Sequence, residues 1–302
     1  MNIIRNLPGP LLIFLGALSL SFGGLIVKSF EGATLWQILF WRSVFFSLTV
    51  LAFLIISYKK KIFNAFYLSG LPGFVAGTIL SLGFCGYVIA MYSTTVANTN
   101  FIISLQILFL AIFGYFFLKE KISSVTLFSI ILAIVGVLIM VGNSLSPGEM
   151  SGNLAAFSMP ITFAVLIIIV RKYPTIDMVP AQFIAGICCC LIGYFISNKI
   201  MISFHDIFLG FLAGFFQVGF GFIFITIGAR TTPSAMVGII MLSESVLGPI
   251  WAFLFVSERP SVFSLIGGAI ILSAVLLQFY TLLTKRKKSV SCLLYTSDAA
   301  DE

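Results

Sequence analysis

The chain has 302 residues, of which 60% are hydrophobic and 9% charged, and its mean hydropathy is +1.16. Such a composition excludes a soluble globular domain and indicates an integral membrane protein, because water cannot cover so apolar a surface. The net charge of +7 comes from single basic residues and short basic runs between apolar segments, which is typical of loops beside a lipid bilayer and not of a nucleic-acid surface.

Apolar segments long enough to cross about 30 Å of hydrocarbon occur ten times along the chain. They cover residues 9–27, 35–57, 66–90, 94–118, 124–142, 152–170, 178–197, 207–228, 232–256 and 261–283. A turn-rich stretch at residues 142–148 divides them into two sets of five. The sequence therefore predicts an all-α integral membrane protein with ten transmembrane helices, in two units at residues 8–143 and 150–284.

The end of the chain differs from the rest. Residues 291–302 are polar and acidic, follow a basic run, and match neither of the two units. We interpret this tail as a disordered end or an artefact of cloning or sequence assembly, and leave it out of the predicted fold.

The two units repeat one pattern. Thr94–Glu120 aligns without a gap with Thr232–Glu258 at a spacing of 138 residues, which places Gln106 opposite Glu244. A shorter match aligns residues 73–77 with 210–214, and its glycine pairs predict close helix contacts. Similarity at a fixed spacing indicates duplication. Because five crossings bring the second unit in from the opposite face, the sequence predicts two inverted five-helix repeats, as in many secondary transporters.

Basic residues set the predicted orientation, since cytoplasmic loops carry an excess of Lys and Arg. With the N-terminus in the cytoplasm, the inner loops hold Arg5, Lys59, Lys60, Lys61, Lys119, Lys121, Arg171, Lys172, Arg230, Lys285, Arg286, Lys287 and Lys288, and the outer loops hold Lys28, Lys199 and Arg259. This asymmetry predicts a multi-pass protein of the cell (inner) membrane with both termini in the cytoplasm.

The fourth span of each unit ends in a charged motif. Glu244 and Pro249 precede Ser257-Glu258-Arg259 in the second unit, and Lys119-Glu120-Lys121 ends the matching span of the first. With Arg42 in the second span, this pattern resembles the EamA-type permeases of the drug/metabolite transporter superfamily over residues 8–284. Gln106 stands where that family often has an acidic residue, and Pro249 lies later than the usual proline. The resemblance implies a carrier that exports or exchanges small metabolites, amino acids among them.

Arg42 and Glu244 are the charged residues well inside predicted spans. Each costs several kcal/mol in hydrocarbon unless it faces the helix bundle, water or a partner. For Glu244 we weigh substrate binding or proton coupling against a structural hydrogen bond to the backbone that Pro249 leaves free. For Arg42 we weigh contact with the carboxylate of a substrate, or a gate, against snorkelling to the lipid headgroups.

Uncharged side chains complete the predicted substrate site. Asn98, Gln106 and Gln217 are amides within spans and need hydrogen-bond partners there. Tyr87 and Trp251 could line a cavity for an aromatic or apolar ligand, although packing is the commoner role of such side chains. Cysteines 188–190 are interpreted as apolar filler, and the sequence shows no metal-ligand spacing. We therefore expect neither a metal nor a cofactor.

These features favour a secondary active transporter that works by alternating access and carries an amino-acid-like metabolite. The alternatives are a carrier of organic cations or small apolar compounds and, in a different class, a passive channel. An intramembrane enzyme is disfavoured because the spans lack aspartate and a G-x-S-G sequence, and a P-loop pump lacks its nucleotide motif. We expect a monomer or a weak homodimer.

Overall fold

The computed structural model describes residues 7–119, 124–142, 147–274 and 276–277, and the regular structure in these ranges is helical. The helices are α1 Gly9–Ser21, α2 Gly23–Lys28, α3 Leu35–Tyr58, α4 Ile62–Ser93, α5 Val96–Ser104, α6 Gln106–Leu118, α7 Ser124–Gly142, α8 Pro147–Ala156, α9 Ser158–Lys172, α10 Val179–Ile196, α11 Phe204–Phe211, α12 Gly221–Ala229, α13 Ser234–Val256 and α14 Val262–Ala274. Glu120, Lys121, residues 143–146 and the tail 291–302 lie outside the described residues.

Seven helical stretches among the described residues are long and apolar enough to cross a membrane, so the chain is a multi-pass membrane protein. One of them, Leu35–Ser93, contains both α3 and α4, which a 3₁₀ turn at Lys59–Lys61 separates. Two shorter apolar helices, Leu127–Gly136 and Val262–Ala274, lie in the predicted fifth and tenth spans. The prediction of an all-helical membrane fold is confirmed, whereas the count of ten crossings and the inverted repeat stay predictions.

Several predicted spans are interrupted helices rather than continuous ones. The first is broken at Phe22, between α1 and α2, and the fourth is broken at Leu105, between α5 and α6. In the eighth span, a π-helical segment at Leu212–Phe220 joins α11 to α12. Phe22 and Leu105 keep right-handed helical backbone angles, so these two breaks are local. A π-helical segment re-aims side chains and is frequent at functional sites. Two candidate residues lie at them, since Gln106 follows the break in the fourth span and Gln217 lies in the π segment.

Close helix contacts are made through the repeated glycines, as predicted. A Cβ atom on Gly77 of α4 would lie 2.8 Å from Cβ of Ile184 in α10. A Cβ atom on Gly214 of the π segment would lie 2.6 Å from Cβ of Phe45 in α3. Both distances are shorter than real Cβ contacts, so glycine allows these helices to approach each other. The prediction of close contacts at these glycines is confirmed.

Buried phenylalanines form the centre of the bundle. The Phe84 ring of α4 packs edge-on against Phe46 of α3, with centroids 5.4 Å apart, and against Phe222 of α12 at 4.8 Å. Phe163 of α9 also meets Phe222, at 6.2 Å. Such pairs add about 0.5–1.5 kcal/mol beyond the area they bury. They fix the position of Phe84, which touches the candidate site.

The N-terminal end of α3 is fixed by hydrogen bonds to the segment before α11. The Gln37 amide donates to the carbonyl of Lys199 at 2.8 Å, and the Trp41 indole donates to that of Ile200 at 2.9 Å. These bonds lie within two turns of the start of α3. They hold the part of the helix that carries Arg42.

Candidate functional site

Arg42 is buried within the bundle, with 3% of its surface exposed. Its guanidinium carbon lies 4.9 Å from the ring centroid of Tyr87 and 5.4 Å from that of Phe84, which is the distance range of cation–π contacts. The snorkelling alternative is therefore wrong, because the side chain faces aromatic rings of α4 and not the lipid surface. Within the described part of the chain, its Nε atom has no hydrogen-bond partner.

Glu244 lies in the middle of α13 and is 5% exposed. Its carboxyl group lies within electrostatic range of the Arg42 guanidinium, which contacts the Tyr87 ring, so the three side chains share one region of the protein. Among the described residues, Arg42 and Glu244 do not come within the 4.0 Å of a direct ion pair. One ionisable side chain from each half thus lies in this region, and the two do not form a direct ion pair.

The break in the first span brings further candidate residues to this region. The Trp251 indole donates to the Ser21 hydroxyl at 3.1 Å, and its ring stacks on Phe22 with centroids 5.2 Å apart. At the next residue, Gly23, a Cβ atom would collide with both the Tyr87 hydroxyl and the Gln217 amide. Five of the predicted site residues are therefore grouped around the Ser21–Gly23 break: Arg42, Tyr87, Gln217, Glu244 and Trp251.

The amides of Gln106 and Gln217 are incompletely bonded although both residues are 1% exposed. Gln217 donates a long hydrogen bond of 3.4 Å to the carbonyl of Leu20. Three polar atoms have no hydrogen-bond partner in the residues that the structure describes: Oε1 of Gln217, Nε2 of Gln106 and the hydroxyl of Ser245. An unsatisfied buried polar atom costs about 1–3 kcal/mol. Of these residues, Gln217 lies beside Gly23 and Tyr87, where its free acceptor favours a site that binds a polar ligand.

Asn98 belongs to a different cluster at the predicted outer end. Its amide bonds to the hydroxyl groups of Thr94 and Ser264. Thr94 in turn accepts a 2.8 Å bond from Lys28 Nζ at its carbonyl, and Lys28 lies 3.8 Å from Glu258. We call Lys28, Thr94, Asn98, Glu258 and Ser264 the outer cluster. The structure therefore places Asn98 in contacts between helices and does not bring it to Arg42.

Some residues of these clusters were not predicted. Phe84 contacts Arg42, but nothing in the sequence distinguishes it among 33 phenylalanines. Gln182 is fully buried in α10 and donates to the Phe222 carbonyl at 2.8 Å. An amide inside an apolar segment is a signal that the sequence does offer.

No group of three or more metal-ligating side chains occurs in the part of the chain that the structure describes.

Comparison with known proteins assigns the chain to a family. The chain is 24% identical to an uncharacterized transporter from Methanothermobacter thermautotrophicus over 205 residues, which are 62% of this chain and 57% of that protein. A protein solved by crystallography superposes on 92% of this chain and 98% of its own, with a TM-score of 0.67 and 17% identity, which supports the fold. The model of the EamA-like transporter family matches residues 7–142 and again residues 146–280. With two copies of that domain over most of its length, the chain belongs to the EamA-like transporter family.

Proposed function

We propose that this protein is a secondary active carrier that moves a small zwitterionic metabolite, such as an amino acid, by alternating access. One observation carries the proposal. Arg42 of the first half and Glu244 of the second half lie buried within electrostatic range of each other, next to interrupted helices. A carrier needs a polar site at depth that both halves contribute to, and this pair provides one.

Helix pairing supports a two-fold relation between the halves. In the predicted repeat, the span of α1 and α2 corresponds to that of α8 and α9, the span of α4 to that of α11 and α12, and the span of α5 and α6 to α13. The contact between α1 and α12 has its counterpart between α9 and α4. Likewise α1 packs on α13, and α9 packs on α6. Each contact recurs after the halves are exchanged, which is expected of two units related by a two-fold axis.

Helix ends support the same relation. Lys119 ends α6 in a left-handed conformation with φ 56° and ψ 29°, and Ser257 ends α13 with φ 56° and ψ 24°. These two residues are 138 residues apart, the spacing of the sequence repeat. Left-handed residues other than glycine are uncommon, so their recurrence at this spacing favours duplication. With five crossings per unit, the second unit is inverted, and both termini lie on the cytoplasmic side of the inner membrane.

The charges favour a zwitterion over the alternatives. A planar guanidinium binds a carboxylate with two parallel hydrogen bonds, and a carboxylate binds an ammonium group. Arg42 would repel an organic cation from the aromatic rings that surround it. The unpaired polar atoms of Gln106, Gln217 and Ser245 are poorly suited to a wholly apolar compound. Glu244 is also the residue that we propose to carry a proton if transport is proton-coupled.

A matched set of ligands tests the proposed substrate class. Purified protein is screened with amino acids by thermal shift, and each that binds is compared with its amide and with its deaminated acid in proteoliposome uptake. Both analogues should be taken up at least about 10-fold more slowly, since a lost charge-assisted hydrogen bond costs about 1.5–3 kcal/mol. Equal uptake of the acid and its amide would contradict a role for Arg42 in carboxylate binding.

A further inference from the structure

Glu258, which follows the end of α13, joins the two units within the outer cluster. Its Oε1 atom accepts a 2.6 Å hydrogen bond from the backbone N–H of Val96, the first residue of α5. Its Oε2 atom lies 3.8 Å from Nζ of Lys28, the last residue of α2. A carboxylate is stabilised at a helix N-terminus, where the first N–H groups have no partner within the helix. One side chain of the second unit therefore binds two elements of the first.

Two further contacts join the start of α5 to the second unit. The Thr94 hydroxyl donates to the amide oxygen of Asn153 in α8 at 3.0 Å, and Asn153 is fully buried. The Ser264 hydroxyl of α14 donates to the amide oxygen of Asn98. With Glu258, three polar side chains of the second unit thus converge on the start of α5. Polar contacts of this kind are individually weak, so they can break and form again.

The outer cluster lies beyond Trp251 as seen from the charged site. Along α13 and its end, the order is Glu244, Trp251 and Glu258, at intervals of seven residues, which is about 10 Å per interval in a helix. The Trp251 ring stacks on Phe22, with centroids 5.2 Å apart, and Phe216 of the π segment lies 5.9 Å from Phe22. Three rings from three elements thus pack together between Glu244 and Glu258.

The opposite end of the bundle is arranged differently. α8 and α9 run from Asn153 in the outer cluster to Lys172, which lines a cavity of about 350 Å³ between α4, α6 and α9. Phe113 also lines this cavity, and the predicted repeat places it opposite Trp251 at the spacing of 138 residues. The Trp251 ring is instead packed against Phe22. A crevice at one end of the bundle is therefore filled at the equivalent place on the other end.

We infer that the outer cluster is a gate and that this gate is closed in the structure. Glu258 of the second unit closes it by binding Lys28 and the start of α5. Release of these contacts lets the three rings separate and opens the charged site toward this end. The gate rests on the proposed carrier function, because a carrier closes one end of its site while the other end is open.

A disulfide across the outer cluster tests the gate. A Cβ atom on Gly152 of α8 would lie 3.0 Å from Cβ of Thr94, and a disulfide needs about 3.5–4.5 Å, so a small shift brings two cysteines into range. Thr94→Cys/Gly152→Cys should lose uptake in proteoliposomes when it is oxidised and regain it with a reductant. Thr94→Cys and Gly152→Cys alone should be insensitive to the oxidant. Mass spectrometry measures how much disulfide has formed.

Thiol labelling of purified Thr94→Cys gives a second measurement that needs neither a substrate nor the disulfide. Thr94 is 4% exposed in the closed gate, so the labelling rate reports how often the gate opens. Adding Glu258→Ala should raise that rate by about 5-fold or more, because its contacts with Lys28 and Val96 are lost. Adding Ser243→Ala should not. The native Cys189, which is fully buried, should label slowly throughout, which separates gate opening from unfolding.

The outcomes separate the gate from the carrier. Uptake that persists when the disulfide is complete would overturn the gate and leave the carrier function in place. Equal labelling of Thr94→Cys with and without Glu258→Ala would overturn it as well. Absence of counterflow in the reduced double variant and in the unchanged protein would count against the carrier function, while labelling still decides whether this end opens.

Discussion

Arg42→Gln should abolish uptake of the carboxylate substrate while the protein remains folded. Glutamine keeps hydrogen-bonding capacity but removes the charge that lies against Tyr87 and Phe84. Removing one member of a buried, hydrogen-bonded charge pair costs about 2–5 kcal/mol, so the apparent affinity should fall by at least about 30-fold. Proteoliposome uptake measures the loss, and size-exclusion chromatography in detergent establishes that the variant is folded.

Arg42→Lys is the matched control for this prediction. Lysine retains the positive charge but lacks the planar fork, so one of two parallel hydrogen bonds is lost. A hydrogen bond to a charged group contributes about 1.5–3 kcal/mol, which predicts an affinity at least about 10-fold lower than that of the unchanged protein. The expected order is therefore arginine above lysine and lysine above glutamine. Equal uptake by all three forms would show that Arg42 has a structural role only.

Glu244→Gln should produce the second large effect. The substitution keeps the shape of the side chain and removes both its charge and its ability to exchange a proton. We expect uptake of the zwitterion to fall by about 10-fold or more, because an ammonium group loses its charged acceptor. If Glu244 couples transport to protons, the variant should also lose the dependence of uptake on pH. Uptake at several pH values in proteoliposomes measures both effects.

Ser243→Ala provides the control for Glu244 on the same helix. The Ser243 hydroxyl donates to the carbonyl of Ile240 within α13, so its removal should leave uptake unchanged. Unchanged uptake and unchanged pH dependence in Glu244→Gln would restrict Glu244 to a structural hydrogen bond. Loss of uptake in both variants would indicate that α13 itself has been disturbed.

Helix positions could be predicted from the sequence because a membrane imposes a length on apolar segments. The predicted second, seventh and ninth spans agree within two residues with α3, α10 and α13. The break at Phe22 was not predicted. No proline stands there, and the stacking of Phe22 on Trp251, 229 residues further along the chain, is a tertiary contact. Local sequence carries no signal for such a contact.

The candidate site was predicted in part. The cost of burying charge identified Arg42 and Glu244, and both side chains are buried within the helix bundle. Asn98 shares a helical face with Gln106 in the sequence, but hydrogen bonds to Thr94 and Ser264 hold it in the outer cluster. Cys189 donates a hydrogen bond to the carbonyl of Ser81 in a distant helix, so the run of cysteines was interpreted without its actual neighbour.

Counterflow in proteoliposomes tests the proposed carrier most directly. Vesicles containing the protein are loaded with an unlabelled amino acid that binds, or left empty, and uptake of the labelled compound is followed in both. A carrier that exposes one site alternately to the two faces predicts faster uptake into the loaded vesicles and saturation with substrate. Equal initial rates in loaded and empty vesicles, rising linearly with concentration, would instead show a passive channel and contradict alternating access.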